Sequence, residues 1–219
     1  KKTISTDQNY FKAYNNLGGV LSTLGHYEEA IKIYKKALKI NPDFSDAYSN
    51  LGSCYHNLNR YEDSIFNYNE AIKLNPANFA AYNNLGSAYK EINQNENAIK
   101  NYNKAIQIKS DYYIAYNNLG NIFEEMKCYE DAIKNYNKVL EIKPDHKYAI
   151  GKLVHAKMII SDWQKYEKDL DNLINSLNRN DKTINPFPLL SLIDSPSYHK
   201  INTEIYVKDK FISPEKKQI

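Results

Sequence analysis

Apolar and small residues return along this chain at helical spacings in two alternating stripes, and the pair of stripes itself repeats. With Phe11, Ser45, Phe79 and Tyr113 as first positions, each unit carries Tyr at position 4, Leu at 7, Gly at 8 and an aromatic or aliphatic residue at 11. The second stripe has a small residue at 20, Tyr at 24 and a small or branched residue at 27. At about 100° per residue, each set falls on one face of its own helix, so every unit predicts two amphipathic helices. The period is 34 residues, visible in Tyr14, Tyr48, Tyr82 and Tyr116. It divides the chain into units 11–44, 45–78, 79–112 and 113–146 behind a lead-in, 1–10.

Glycine at position 8 (Gly18, Gly52, Gly86, Gly120) costs up to ~1 kcal/mol in a helix interior. It therefore predicts close approach of the partner helix, through Ala30, Ser64, Ala98 and Ala132. Proline at position 32 (Pro42, Pro76, Pro144, with Ser110 departing) predicts the end of each second helix, because it lacks an N–H and crowds the preceding turn. Burying a side chain such as Leu17 or Tyr34 contributes ~1.5–3 kcal/mol. One helix pair leaves half its apolar surface uncovered, so neighbouring pairs must stack.

The register decays after unit four. Ile150, Leu153 and Lys157 stand where Tyr, Leu and an aromatic stood, and Val154 replaces Gly. Residues 147–178 therefore read as a degenerate fifth pair that closes the apolar end. Its second helix is predicted from Asp162 as N-cap and from Trp163, Tyr166, Leu170, Leu173 and Leu177 at helical spacing. The remainder, 179–219, reads as a linker with Pro186 and Pro188, then a final helix opened by Ser195-Pro196 with Tyr198, Ile201 and Ile205 on one face.

Composition removes several function classes. The chain has 42% hydrophobic and 25% charged residues, outside the range of intrinsic disorder. The 29 basic and 26 acidic residues are interspersed, net +3, with no stripe to neutralise nucleic-acid phosphates, so no nucleic-acid partner is expected. No apolar run approaches the ~20 residues of a membrane span and no signal-peptide order opens the chain, so no membrane partner and a cytoplasmic location are expected. Cys54 and Cys128 lie in different units without metal or redox spacing and read as free thiols. The five histidines form no nucleophile, metal or His-x-x-x-His constellation, and no glycine-rich phosphate loop follows a strand. No catalytic residue, metal site or cofactor is expected. The tyrosines at positions 4 and 24 read as core. A start at Lys1 rather than Met suggests a piece of something longer.

Off the packing stripe, positions 2, 5, 6, 9, 12 and 13 of the first helix share the opposite face, the inner curve of a stacked array. Position 6 is asparagine in all four units: Asn16, Asn50, Asn84 and Asn118. Asn15, Asn83 and Asn117 precede three of them, and Asn121 stands at position 9. Asparagine is a mediocre helix former, so folding does not ask for it. A carboxamide both donates and accepts, and a row of them can bracket the backbone of an extended protein segment or peptide without reading its sequence. Descent of the units from one ancestor would also place them together. Positions 9, 12 and 13 run from Gly19, Ser22 and Thr23 to Asn121, Glu124 and Glu125, a nearly neutral face turning acidic.

The repeat is identified as a tetratricopeptide repeat by its Tyr-x-Asn-Leu-Gly run, small-residue stripe and terminal proline. That family implies an all-α superhelix, here with a C-terminal capping helix region. Ser161-Asp162-Trp163, Ile184-Asn185-Pro186-Phe187-Pro188-Leu189-Leu190 and Ile193-Asp194-Ser195-Pro196 resemble the segment that joins repeats to the catalytic half in bacterial-type O-linked N-acetylglucosamine transferases. The resemblance implies a parent enzyme that moves a sugar from a uridine-diphosphate donor to Ser or Thr, its catalytic domain lying C-terminal to this chain. It also implies that Asn16, Asn50, Asn84 and Asn118 hold the acceptor polypeptide. The alternative is a free-standing adaptor or assembly scaffold. A C-terminal carboxylate clamp would need Lys or Arg in the groove, and position 6 of the four units holds none.

Overall fold

The two stripes of each unit form the helix pairs they predict. A computed structural model describes residues 4–146, 148–179, 181, 189 and 193–208, and among these the backbone is helix and turn with no strand. The four pairs are α1 (Ile4–Thr23) with α2 (Tyr27–Ile40), α3 (Ser45–Asn57) with α4 (Tyr61–Leu74), α5 (Phe79–Glu91) with α6 (Asn95–Ile108), and α7 (Tyr113–Glu125) with α8 (Tyr129–Ile142). The degenerate pair is α9 (Ala149–Ile159) with α10 (Tyr166–Asn178), and α11 (Pro196–Val207) follows. Helix α1 begins at Ile4, inside the stretch that the register leaves as a lead-in. The chain divides into two compact units, Lys1–Ser110 and Asp111–Ile219.

In the first unit α1 packs on α2, α3 on α4 and α5 on α6, while α2 packs on α3 and α4 on α5. The first helices also meet one another, α1 with α3 and α3 with α5, which makes them the inner layer of the stack. The core is the second-helix stripe: Ala30, Tyr34 and Ala37, then Ser64, Tyr68 and Ala71, then Ala98, Tyr102 and Ala105, all nearly or fully buried. Leu51 and Leu85 at position 7 are buried too. Leu17 departs from the expectation of burial at 47% exposed, because no helix pair among the described residues stacks against it.

What covers the position 8 glycines is a tyrosine ring, rather than the small residue at position 20. A Cβ added to Gly52 would stand 2.9 Å from the Tyr68 ring, and one added to Gly86 2.8 Å from Tyr102 and 3.1 Å from the Ala98 carbonyl oxygen. Ser64 contributes differently, its hydroxyl donating to the Gly52 carbonyl at 2.9 Å. The glycine is thus compensated by an aromatic face lying on bare backbone.

The turn inside each pair closes on a left-handed residue at position 15: Gly25, Asn59 and Asn93, and Lys127 in the second unit. Each turn pairs two orphan carbonyls of the first helix, as in Arg60 N–H to Tyr55 O and Asn59 N–H to His56 O. The turn between pairs does not depend on proline. Helix α6, followed by Ser110, ends on an extended residue, Lys109 (φ −132°, ψ 95°), as α2 ends on Asn41 (φ −130°, ψ 94°) ahead of Pro42.

In the second unit one core joins Tyr136, Leu153, Val154, Leu173 and Leu177 with Leu189, and Tyr166, Leu170 and Tyr198 pack against it. Lys157, where the register has an aromatic, is 6% exposed; its Nζ donates to Asp169 Oδ2 at 2.6 Å and to the Gln164 carbonyl at 3.0 Å. Asp162 does not cap α10: it accepts the Gln164 N–H at 3.0 Å, and the helix starts at Tyr166. Trp163 lies ahead of the helix, 59% exposed and edge-on to Tyr166. Pro196 does occupy the first turn of α11 after Ser195 (φ −149°), whose hydroxyl pairs with Ser197 rather than with a backbone N–H. The predicted linker falls on 180–188, of which only residue 181 is described.

Candidate functional site

The inner face of the first unit carries two shallow polar depressions. One gathers Asn15 and Asn16 of α1 and Asn50 of α3 around Gly19 and Tyr34, with Val20 and Leu24 at its edge. Asn50 Nδ2 donates to Asn15 Oδ1 at 3.0 Å, and Asn16 is exposed. The other gathers Ser53, His56, Asn57, Tyr68, Asn84 and Ser87. No Lys, Arg, Asp or Glu lines either depression. Neighbouring carboxamides on adjacent first helices therefore reach one solvent-facing layer, because position 6 points away from the second helices.

Asn83 is a correction to the predicted row. It is only 4% exposed, and its Nδ2 donates to Asn84 Oδ1 at 3.2 Å, so it supports Asn84 from beneath instead of facing solvent. In the second unit Asn117 and Asn118 are half-buried on α7. Asn121 is committed internally: its Oδ1 accepts from the Tyr136 hydroxyl at 3.1 Å and from Lys152 Nζ. Tyr136 also bonds Glu124 Oε2 at 2.6 Å, and His155 Nδ1 lies 3.7 Å from Glu124 Oε1. Burial would raise the Glu124 pKa, but hydrogen bonds from His155 and Tyr136 and the Lys152 charge outweigh it and hold the carboxylate below its ordinary range.

The sequence reading missed the tyrosine hydroxyls at position 24. The ring covers glycine, yet the hydroxyl passes through to the inner face and meets the position 9 side chain: Tyr68 with Ser53 at 3.0 Å, Tyr102 with Ser87 at 3.2 Å. A polar residue recurring 15 positions ahead of Tyr was the available signal. Burial pushes the Tyr68 hydroxyl above its usual pKa, and the Tyr34 hydroxyl is pushed up to about 12 by burial and by Cys54. The same reasoning missed Lys152 and His155, which hold positions 6 and 9 of the fifth pair. Burial lowers the pKa of His56, with the Glu91 charge opposing, which favours the neutral ring in the second depression.

Residues 20–59, 53–93 and 86–127 match a family model described as TPR repeat, and residues 113–146 match one described as tetratricopeptide repeat. No curated protein matches the sequence. Among solved structures, a crystal structure of MamA is similar at 26% identity over 79% of this chain and 94% of its own, TM-score 0.69. PilF of Pseudomonas aeruginosa is 20% identical over 96% of both chains, TM-score 0.76. The first TPR of Spaghetti (RPAP3), bound to the HSP90 peptide SRMEEVD, is 25% identical over 53% of this chain and 92% of its own, TM-score 0.52. Among the described residues, no helix is long and apolar enough to cross a membrane and no cluster of His, Cys, Asp or Glu could hold a metal.

Proposed function

Because this chain belongs to the tetratricopeptide repeat family, we propose that it is a protein-interaction module that takes an extended polypeptide segment against the inner faces of its first helices. The observation that carries the reading is the solvent-facing layer of carboxamides, Asn15, Asn16 and Asn50 in one depression and Asn84 in the next. An extended backbone leaves its N–H and C=O groups unpaired, and a carboxamide offers both complements. The likeness to a TPR bound to a peptide supports the same use. That peptide is acidic, whereas neither depression here is lined by Lys or Arg, so the segment suited to this chain is uncharged at these points.

The test is the double variant Asn50→Ala with Asn84→Ala, titrated with an unstructured Ser/Thr-rich peptide. Affinity falls about tenfold or more, two lost hydrogen bonds at about 1 kcal/mol each, while the unfolding midpoint falls by only a few degrees, the cost of the Asn50–Asn15 and Asn83–Asn84 bonds, and the protein stays folded at the titration temperature. Unchanged affinity would discard the reading. The finer assignment, acceptor docking for a UDP-sugar-dependent Ser/Thr O-glycosyltransferase, rests on the runs at 161–163 and 184–196, most of the second lying outside the described residues. It is separated from a free-standing adaptor by assaying the full-length protein for transfer from a UDP-sugar to the bound segment.

A further inference from the structure

The four position 24 tyrosines are not equivalent. Tyr68, Tyr102 and Tyr136 each have a hydroxyl bonded to the side chain at position 9: Ser53, Ser87 and Asn121. In the first repeat position 9 is Gly19, which has no side chain to offer. Tyr34 is 2% exposed, lies on the floor of the first depression, and its hydroxyl has no hydrogen-bond partner among the described residues. The ring is buried, but the hydroxyl opens onto the depression and no side chain there claims it, so it is free to bond a group from outside. Beside it, Val20 and Leu24 are 58% and 52% exposed.

We infer that this depression is an anchor pocket for one residue of an uncharged extended segment, whose backbone carbonyl accepts from the Tyr34 hydroxyl while its aliphatic side chain covers Val20 and Leu24. The inference rests on the peptide-docking reading and locates where on the module the segment is gripped. An extended segment suits the pocket better than a stacking helix does. A helix has its backbone groups paired internally and would leave the Tyr34 hydroxyl and the carboxamides of Asn16 and Asn50 unanswered. With no ionised side chain on the lining, the pocket has nothing to stabilise a charged residue.

Gly19 supplies a direct control. A Cβ there would meet only the Tyr34 hydroxyl, at 3.8 Å, so Gly19→Ser fits without strain and supplies the missing partner. Two twelve-residue Ser/Thr/Gly peptides are titrated, one with a central Leu and one with Ser in its place. The wild type prefers the Leu peptide by about tenfold or more, the gain from covering an aliphatic side chain. Tyr34→Phe, which keeps the ring on Gly18, and Gly19→Ser each weaken that peptide about fivefold. Asn84→Ala weakens both peptides alike and leaves the preference intact. Equal binding of the two peptides by the wild type, with Asn84→Ala still weakening both, overturns the pocket and leaves the docking reading standing. No binding of either peptide overturns both. Concentration-dependent self-association lost in Leu24→Ser, without peptide binding, would show that a second copy covers Val20 and Leu24 and would also overturn it.

Discussion

Glycine at position 8 and tyrosine at position 24 form one structural device, each explaining the other. Without the bare backbone the ring could not lie flat, and without the ring the glycine would only weaken its helix. The position of each glycine therefore decides the sign of a substitution. Gly86→Ala drives a methyl to 2.8 Å from the Tyr102 ring and 3.1 Å from a backbone oxygen that cannot swing away. It should destabilise the fold by about 1–3 kcal/mol in urea unfolding. Gly19→Ala meets nothing closer than 3.8 Å and should stabilise α1 by up to about 1 kcal/mol. If the two alanines prove equally costly, the ring-on-backbone account fails. The asparagines at position 6 were legible from sequence because nothing in packing asks for them. The tyrosine hydroxyls were not, because a residue on the packing stripe gives no sign that its far end emerges on the other face.

Helix ends, at the next scale, obey rules only partly written in the sequence. The return of Tyr, Leu and Gly at fixed spacing made every pair legible, since a 34-residue period leaves little freedom in where the turns fall. Proline pointed to the right place without being its cause, as the same ending at Lys109 ahead of Ser110 demonstrates. The left-handed residue at position 15 is the stricter requirement. It is Gly25, Asn59 and Asn93 in the first unit, residues that tolerate positive φ, but Lys127 in α7's turn, at φ 60°. Lys127→Gly should stabilise the protein by about 1 kcal/mol in a thermal or urea melt, despite adding a flexible residue. A loss of stability would mean the lysine makes a contact that outweighs its strained backbone. The α9–α10 connection was the least legible. A lysine at a core position reads as decay of the repeat, whereas Lys157 and Asp169 form a buried ion pair whose separation would leave a charge unanswered.

For the whole molecule, the repeat that specifies the fold also copies one position 6 carboxamide into each of the four clear repeats, so architecture and candidate site arise from the same periodicity. What differs between units is how far that face is already occupied. In the second unit Lys152 and Glu124 engage Asn121 and Tyr136 internally, while the first unit keeps its carboxamides in open depressions. The sequence showed the row but not this division, because Lys152 and His155 sit beyond the clear repeats. The most direct test follows the asparagine side-chain amide signals by nuclear magnetic resonance as the Leu-containing peptide is added. The account predicts that Asn16, Asn50 and Asn84 shift together, while Asn69, exposed on α4 and bonded to the Ile65 carbonyl, stays still. Shifts confined to Asn69 and other second-helix positions, with the inner row unmoved, would contradict it.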